Sequence, residues 1–157
     1  LPDQNIPLFH RHDIIERNYL EKIKTIGDSY MCAGGLPIPN STHPEDVLTA
    51  AFEMLAWMEK FNQEQEKNNK PNLGIRIGVN TGPVVAGVVG TKKFAYDIWG
   101  NTVNVASRME SGSESNRINI SEETYHLVKD TFECSYRGKL NAKNIGEVSM
   151  YLVERKI

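Results

Sequence analysis

Between residues 73 and 90 the chain reads LGIRIGVNTGPVVAGVVG, with glycine at 74, 78, 82, 87 and 90. This run constrains the fold most, because glycine lets another backbone, or a phosphate, come close. It contains neither GxxxxGK(S/T) nor a GxGxxG turn, so the two familiar phosphate-cradling loops do not apply. Close packing is its first reading. Residues 73–80 alternate Ile75, Ile77 and Val79 against Arg76, Gly78 and Asn80, the period of a half-buried strand. Thr81-Gly82-Pro83 breaks that strand, and residues 84–90 resume an extended, tightly packed stretch.

Strands and helices alternate around this run. Residues 1–11 hold two prolines and no clear period and read as an irregular segment or linker. Residues 12–20 place Ile14, Ile15 and Tyr19 on one side of a short helix. EKIKTIG and SYMCAGG are two β-rich runs meeting at Gly27-Asp28, a hairpin turn, with Lys22 and Lys24 on one strand face. Pro44-Glu45-Asp46 opens a helix whose Val47, Ala51, Met54, Met58 and Phe61 form a buried face, and the polar stretch 62–72 ends it. Residues 91–93 make a turn, 94–100 a strand, and Asn101 caps a helix through Ser111. A strand at 117–120 precedes a helix capped by Ser121. Strands at 133–136 and 148–153 flank a loop or bent hairpin. This alternation predicts an α+β sheet with helices on one face.

At 157 residues the chain can bury roughly 70% of its unfolded surface without staples. Eighteen Lys plus Arg against twenty Asp plus Glu leave a net charge of −2, which offers no broad basic face for nucleic acid. Cys32 and Cys134 stand alone, with no CxxC spacing, so neither a zinc knuckle nor a disulfide framework is expected. No apolar run reaches the length of a membrane span, so no membrane insertion by this chain is expected and a cytoplasmic location fits.

Four segments place polar residues where packing alone would not. In EKIKTIGD, Lys24 and Asp28 fit an exposed lysine and a turn aspartate as readily as a site. In YDIWGNTVNVASRMES, Asp97 interrupts an apolar, aromatic strand and needs a donor if buried. On the following helix Asn104 and Arg108 are spaced i, i+4, which stacks amide and guanidinium on one face. In LNAKNIGE, Lys143 sits in a loop and reads, by itself, as a solvated side chain. The glycine run is the fourth. His10 and His12 lack the acid or Cys partners of a metal clip.

Taken jointly, EKIKTIGDSYM, GIRIGVNTGPVVAGVVG and YDIWGNTVNVASRMES resemble the catalytic domain of class III nucleotidyl cyclases, in that family's order and with its gaps, over residues 19–153. The resemblance implies a ferredoxin-like βαββαβ-type sandwich spanning residues 12–157. It also implies roles. Asp28 matches the second of two aspartates that hold a pair of Mg²⁺ or Mn²⁺ ions. Lys24 and Asp97 match the pair that reads the purine, where guanylyl cyclases place Glu and Cys. Adenine offers an N1 acceptor and an N6 donor, complementary to Lys and Asp, so the resemblance implies ATP as substrate. Asn104 matches the ribose-positioning residue, Arg108 the residue that steadies charge on the α-phosphate, and Lys143 the lysine that grips the terminal phosphates. The implied reaction is two-metal-assisted attack of the ATP 3′-hydroxyl on its own α-phosphorus, giving 3′,5′-cyclic AMP and pyrophosphate. The family builds its site between two copies, implying a head-to-tail homodimer, fused to an upstream regulatory domain.

Two departures stand out. The family's first strand, carrying the first metal aspartate in the form F-x-D-I-x-G-F, has no match. Asp13-Ile14-Ile15 echoes it, but lies too close to EKIKTIGD to leave room for the intervening helices and is rejected as a ligand. The expectation is a segment missing between Phe9 and His12, one lost metal carboxylate, and little activity from this chain alone. Second, the family's KGKG loop reads Lys143-Asn144-Ile145-Gly146 here, which removes one phosphate-facing cation. The alternative function is a non-catalytic cyclase homology domain that binds nucleotide or a partner domain and regulates. An RNA-binding sheet would need an aromatic platform and a basic surface that the sequence lacks.

Overall fold

The computed structural model describes residues 8–157. They fall into two compact units that divide between Ile75 and Arg76. The first unit contains helix α1 (Leu8–Arg17), strands β1 (Glu21–Ile26) and β2 (Ser29–Ala33), and helix α2 (His43–Lys67). Helix α1 begins inside the stretch expected to be irregular through residue 11, and residues 1–7 lie outside the described residues. The helix runs unbroken from Leu8 to Arg17. Ile14 and Ile15 form a buried cluster with Leu20 and Ala50, against which Tyr30, Cys32, Val47 and Met54 pack. Tyr19 does not join them. The helix ends at Arg17, Tyr19 turns left-handed at φ 60°, and its ring is 76% exposed, leaving Leu20 to enter the core.

Helix α2 continues past Phe61 to Lys67, further than the polar stretch suggested. Gln, Glu and Lys are good helix formers, so polarity alone does not stop a helix. The stop comes at Asn68 and Asn69, the latter at φ 53°, followed by Pro71. Asn62 then ties the returning chain, donating to the Leu73 carbonyl at 2.8 Å and accepting from the Leu73 N–H at 2.9 Å.

The second unit holds a four-stranded sheet of order β3-β6-β8-β7 and a separate ribbon, β4-β5. Its elements are β3 (Arg76–Val79), β4 (Val85–Val89), β5 (Ala95–Trp99), α3 (Asn101–Ser111), β6 (Arg117–Ser121), α4 (Glu122–Val128), β7 (Phe132–Ala142) and β8 (Gly146–Lys156). Strands β3 and β6 are parallel, the others antiparallel. Val105 and Met109 of α3 pack on Ala142, Val148 and Met150 to form the core. Gly78 explains how closely α3 seats: a Cβ there would lie 1.9 Å from the Glu110 amide nitrogen. Close packing is thus the role of that glycine. Ser121 caps α4 as expected, accepting from the Thr124 N–H. Of the two readings of residues 137–146, a loop or a bent hairpin, the structure takes the bent hairpin. The β7–β8 pairing shifts register twice without breaking, at Glu154 on β8 and at Arg137 on β7, the latter beside Gly138 with φ 119°. The architecture is α+β, as expected.

Candidate active site

Three of the residues singled out in the sequence meet in the second unit. Asn104 and Arg108 project from the exposed face of α3, one turn apart, while Val105 and Met109 bury the opposite face. The β7–β8 turn, Lys143-Asn144-Ile145, lies across from them. Between helix and turn opens a cleft of about 350 Å³ lined by Asn104, Ser107, Arg108, Lys143, Asn144 and Ile145. An amide, a guanidinium and an ammonium therefore share one concave, solvent-reached surface, a donor-rich arrangement suited to a polyanion. Ile145 also lines this cleft, so the apolar side chain stands where a second cation would strengthen anion binding. Two cleft residues escaped the sequence reading. Ser107 lies three positions from Asn104 on the same helix face, a spacing that could have flagged it. Asn144 takes φ 66°, so the turn needs a residue tolerant of that conformation.

Asp97 sits half-buried in β5 between Tyr96 and Ile98. Its required donor is local: the Ile98 N–H donates to Asp97 Oδ1 at 2.8 Å. Gly87 stands directly opposite on β4, so no side chain crowds the carboxylate from across the ribbon. The helix that follows is not capped by Asn101. Gly100 occupies the cap position at φ 133°, offers no side chain, and leaves Asn101 as the first helical residue.

In the first unit, Gly27-Asp28 forms the two-residue turn of the β1–β2 hairpin, with Ile26 paired to Ser29. Gly27 takes φ 58°, the conformation that such a turn asks of its first residue, and Asp28 is exposed. Lys22 and Lys24 do not share a strand face. A bulge at Ile23 sets Lys22 opposite Cys32 and Lys24 opposite Met31, consecutive residues that point to opposite sides. Lys22 follows the helix-packed side, its Nζ 5.8 Å from the Tyr30 ring centre, and Lys24 takes the other. Burial on the helix-packed side pushes the Cys32 thiol and the Tyr30 phenol each up to about 12.

A family model described as "Adenylate and Guanylate cyclase catalytic domain" matches residues 7–155. The chain belongs to the adenylate and guanylate cyclase catalytic domain family. It is 40% identical over 146 residues to an adenylate cyclase of Mycobacterium bovis, covering 92% of this chain and 32% of that protein. It is 44% identical over 138 residues to adenylate cyclase type 9 of Gallus gallus, covering 85% of this chain and 10% of that protein. The chain thus spans a third or less of the curated relatives it matches. Its fold superposes with a TM-score of 0.85 on the guanylate cyclase domain of RhGC from Catenaria anguillulae in complex with GTP. The two are 31% identical over 95% of this chain and 80% of that one. Cyclases named for either nucleotide are therefore among the relatives.

Cyclases of this class generally use divalent metals. In this cyclase chain, no group of three or more His, Cys, Asp or Glu side chains stands together among the described residues. Asp28 is one exposed carboxylate on a turn, and Asp13 lies on the exposed side of α1. One carboxylate does not make a two-ion centre. Among the described residues no helix is long and apolar enough to cross a membrane.

Proposed function

We propose that the chain is an adenylyl cyclase catalytic domain forming 3′,5′-cyclic AMP and pyrophosphate from ATP. The observation that carries this reading is the convergence of Asn104, Arg108 and Lys143 on one cleft. Lys143 holds the terminal phosphates, Asn104 orients the ribose, and Arg108 faces the α-phosphate. In the reaction the 3′-hydroxyl gives its proton to solvent water and its oxygen bonds to the α-phosphorus, while the bond to the bridging oxygen breaks and pyrophosphate departs. Charge grows on the α-phosphate oxygens as this happens, and a fixed guanidinium stabilises that charge more than it stabilises the ground state. Lys24 donates to adenine N1 and Asp97 accepts from N6, which supports ATP over GTP.

The site as proposed draws on two copies in a head-to-tail homodimer. One copy contributes Asp28, a ligand toward Mg²⁺ or Mn²⁺, and the other contributes the base, ribose and phosphate contacts. The exposed apolar side chains of the β4–β5 segment support this. Val85, Val88 and Phe94 are 67%, 65% and 73% exposed, a patch suited to a protein partner. The ion that Asp28 would hold supplies charge stabilisation at the phosphates when bound, and the other roles assigned here are those of the chain's own side chains. Ile145 in the phosphate turn favours a second reading: a cyclase homology domain that binds nucleotide and regulates.

An assay of the full-length protein with Mn²⁺–ATP and, separately, Mn²⁺–GTP tests the proposal. Cyclic AMP as the main product is expected. ATP binding without product would favour the regulator, and a protein that binds neither nucleotide would overturn both readings.

A further inference from the structure

The glycine run of residues 73–90 carries a connecting turn-like segment, Asn80-Thr81-Gly82-Pro83, between β3 and β4. Its contacts converge on one residue of α3. Asn80 Nδ2 donates to the Thr102 carbonyl at 3.0 Å. Thr102 Oγ1 donates to the Pro83 carbonyl at 2.6 Å. Between these two contacts, a Cβ on Gly82 would lie 2.6 Å from Thr102 Oγ1. Thr102 is thus gripped at its carbonyl, its hydroxyl and its side-chain flank by three residues of this segment, Asn80, Pro83 and Gly82.

The orientation of the Asn80 amide is forced. A carbonyl only accepts, so the nitrogen must face Thr102, and Oδ1 then accepts from Ser121 Oγ at 2.5 Å. Ser121 is fully buried at the end of β6 and caps α4. Thr81 and the equally buried Thr124 add a hydroxyl contact of 2.9 Å. The turn is therefore anchored to the buried start of α4, and Thr102 is anchored to the turn. Helix α3 needs this, because its own start has no side-chain cap and follows a glycine at φ 133°.

We propose that Asn80 and Thr102 are positioning residues, which fix the first turn of α3 and so aim Asn104 and Arg108 into the cleft. They touch no substrate. This rests on the cyclase reading above, in which Arg108 acts on the α-phosphate. A small swing of the helix start moves both side chains, and a misplacement near 1 Å can cost about 10²-fold in rate.

The test uses the full-length protein with Asn80→Asp, Thr102→Val and Thr102→Ser. Asn80→Asp keeps size and the Ser121 contact but sets a carboxylate against a carbonyl. A fall in cyclic AMP turnover of about thirtyfold is expected for Asn80→Asp and about tenfold for Thr102→Val. Thr102→Ser, which keeps the hydroxyl, should stay within about twofold. In an Arg108→Ala background Asn80→Asp should cost only about fivefold or less, because the part of its effect that runs through Arg108 is gone and only the part through Asn104 is left. An equal loss in both backgrounds would mean a merely structural role and would overturn the proposal. Amide hydrogen exchange is the second arm. Residues 103–108 should exchange faster in both Asn80→Asp and Thr102→Val, while residues 118–120 should not change. Unchanged exchange at 103–108 would also overturn the proposal, and this arm decides even if the parent protein makes no product. Should Asn80→Asp not fold, Thr102→Val carries both arms.

Discussion

In the second unit, Asn104 and Arg108 ride on a helix held at both ends, and Lys143 reaches toward them from a hairpin turn built into a four-stranded sheet. In the first unit, Lys24 and Asp28 stand on a two-stranded ribbon, the lysine turned by a bulge and the aspartate on an exposed turn. The helix start is gripped by Asn80 and Pro83, and Asn119, fully buried in β6, donates to the Met109 carbonyl at 3.0 Å near the other end. Arg137 donates to the Gly112 carbonyl just beyond. The groups proposed to meet a transition state sit on rigid, multiply tied elements. A group whose partners come from elsewhere can sit on a simple turn. The contrast matches the proposed division of labour, in which the first unit's carboxylate serves a cleft belonging to another copy.

The sharpest way to break that contrast is Arg108→Ala, expected to lower turnover on the order of 10²–10³-fold with the fold intact by circular dichroism. A loss under tenfold would place the guanidinium outside the reaction. Next comes the base pair of contacts: Lys24→Glu with Asp97→Cys should shift the ratio of kcat/KM for ATP and GTP toward GTP by on the order of 10–100-fold. Unchanged discrimination would remove both residues from purine recognition. A smaller effect is expected in the phosphate turn. Ile145→Lys adds a cation to the cleft wall and should lower the KM for ATP about threefold, an exposed charge pair being worth little more. No change in KM would show that the terminal phosphates do not reach this turn.

The smallest effect concerns the packed side of the ribbon. Burial raises the Cys32 thiol from 9.0 to about 12, so the folded chain keeps a proton that the unfolded chain releases. The associated stability is complete below about pH 9 and is lost as pH rises toward 12. Thermal midpoints should therefore fall between pH 9 and 11, and roughly 3 °C less steeply in Cys32→Ala. Parallel slopes would indicate that the thiol is not shielded.

Features written in neighbouring residues were legible in the sequence. The Gly27-Asp28 turn, the i, i+4 stacking of Asn104 and Arg108, and the Ser121 cap each depend on a few adjacent positions. What escaped depends on pairing partners far along the chain. The faces of Lys22 and Lys24 follow from a bulge that only the β2 register defines. The persistence of β7 through Gly138 depends on β8, and the grip on Thr102 joins residues 22 positions apart. The end of α2 was misplaced because a polar stretch of strong helix formers looks like a loop when burial is the only guide. Asp97 shows the middle case: the need for a donor was legible, while its supply by the next backbone N–H became visible only in three dimensions.

The central claim is tested most directly by mixing two crippled proteins. Full-length Asp28→Ala and Arg108→Ala are each expected to make almost no cyclic AMP. In a head-to-tail pair of the two, one site collects both lesions and the other is whole, so mixing should restore about a quarter of parental turnover, half the dimers being mixed and half their sites intact. A mixture no more active than its separate components, with both variants folded and the parent active, would contradict the shared site.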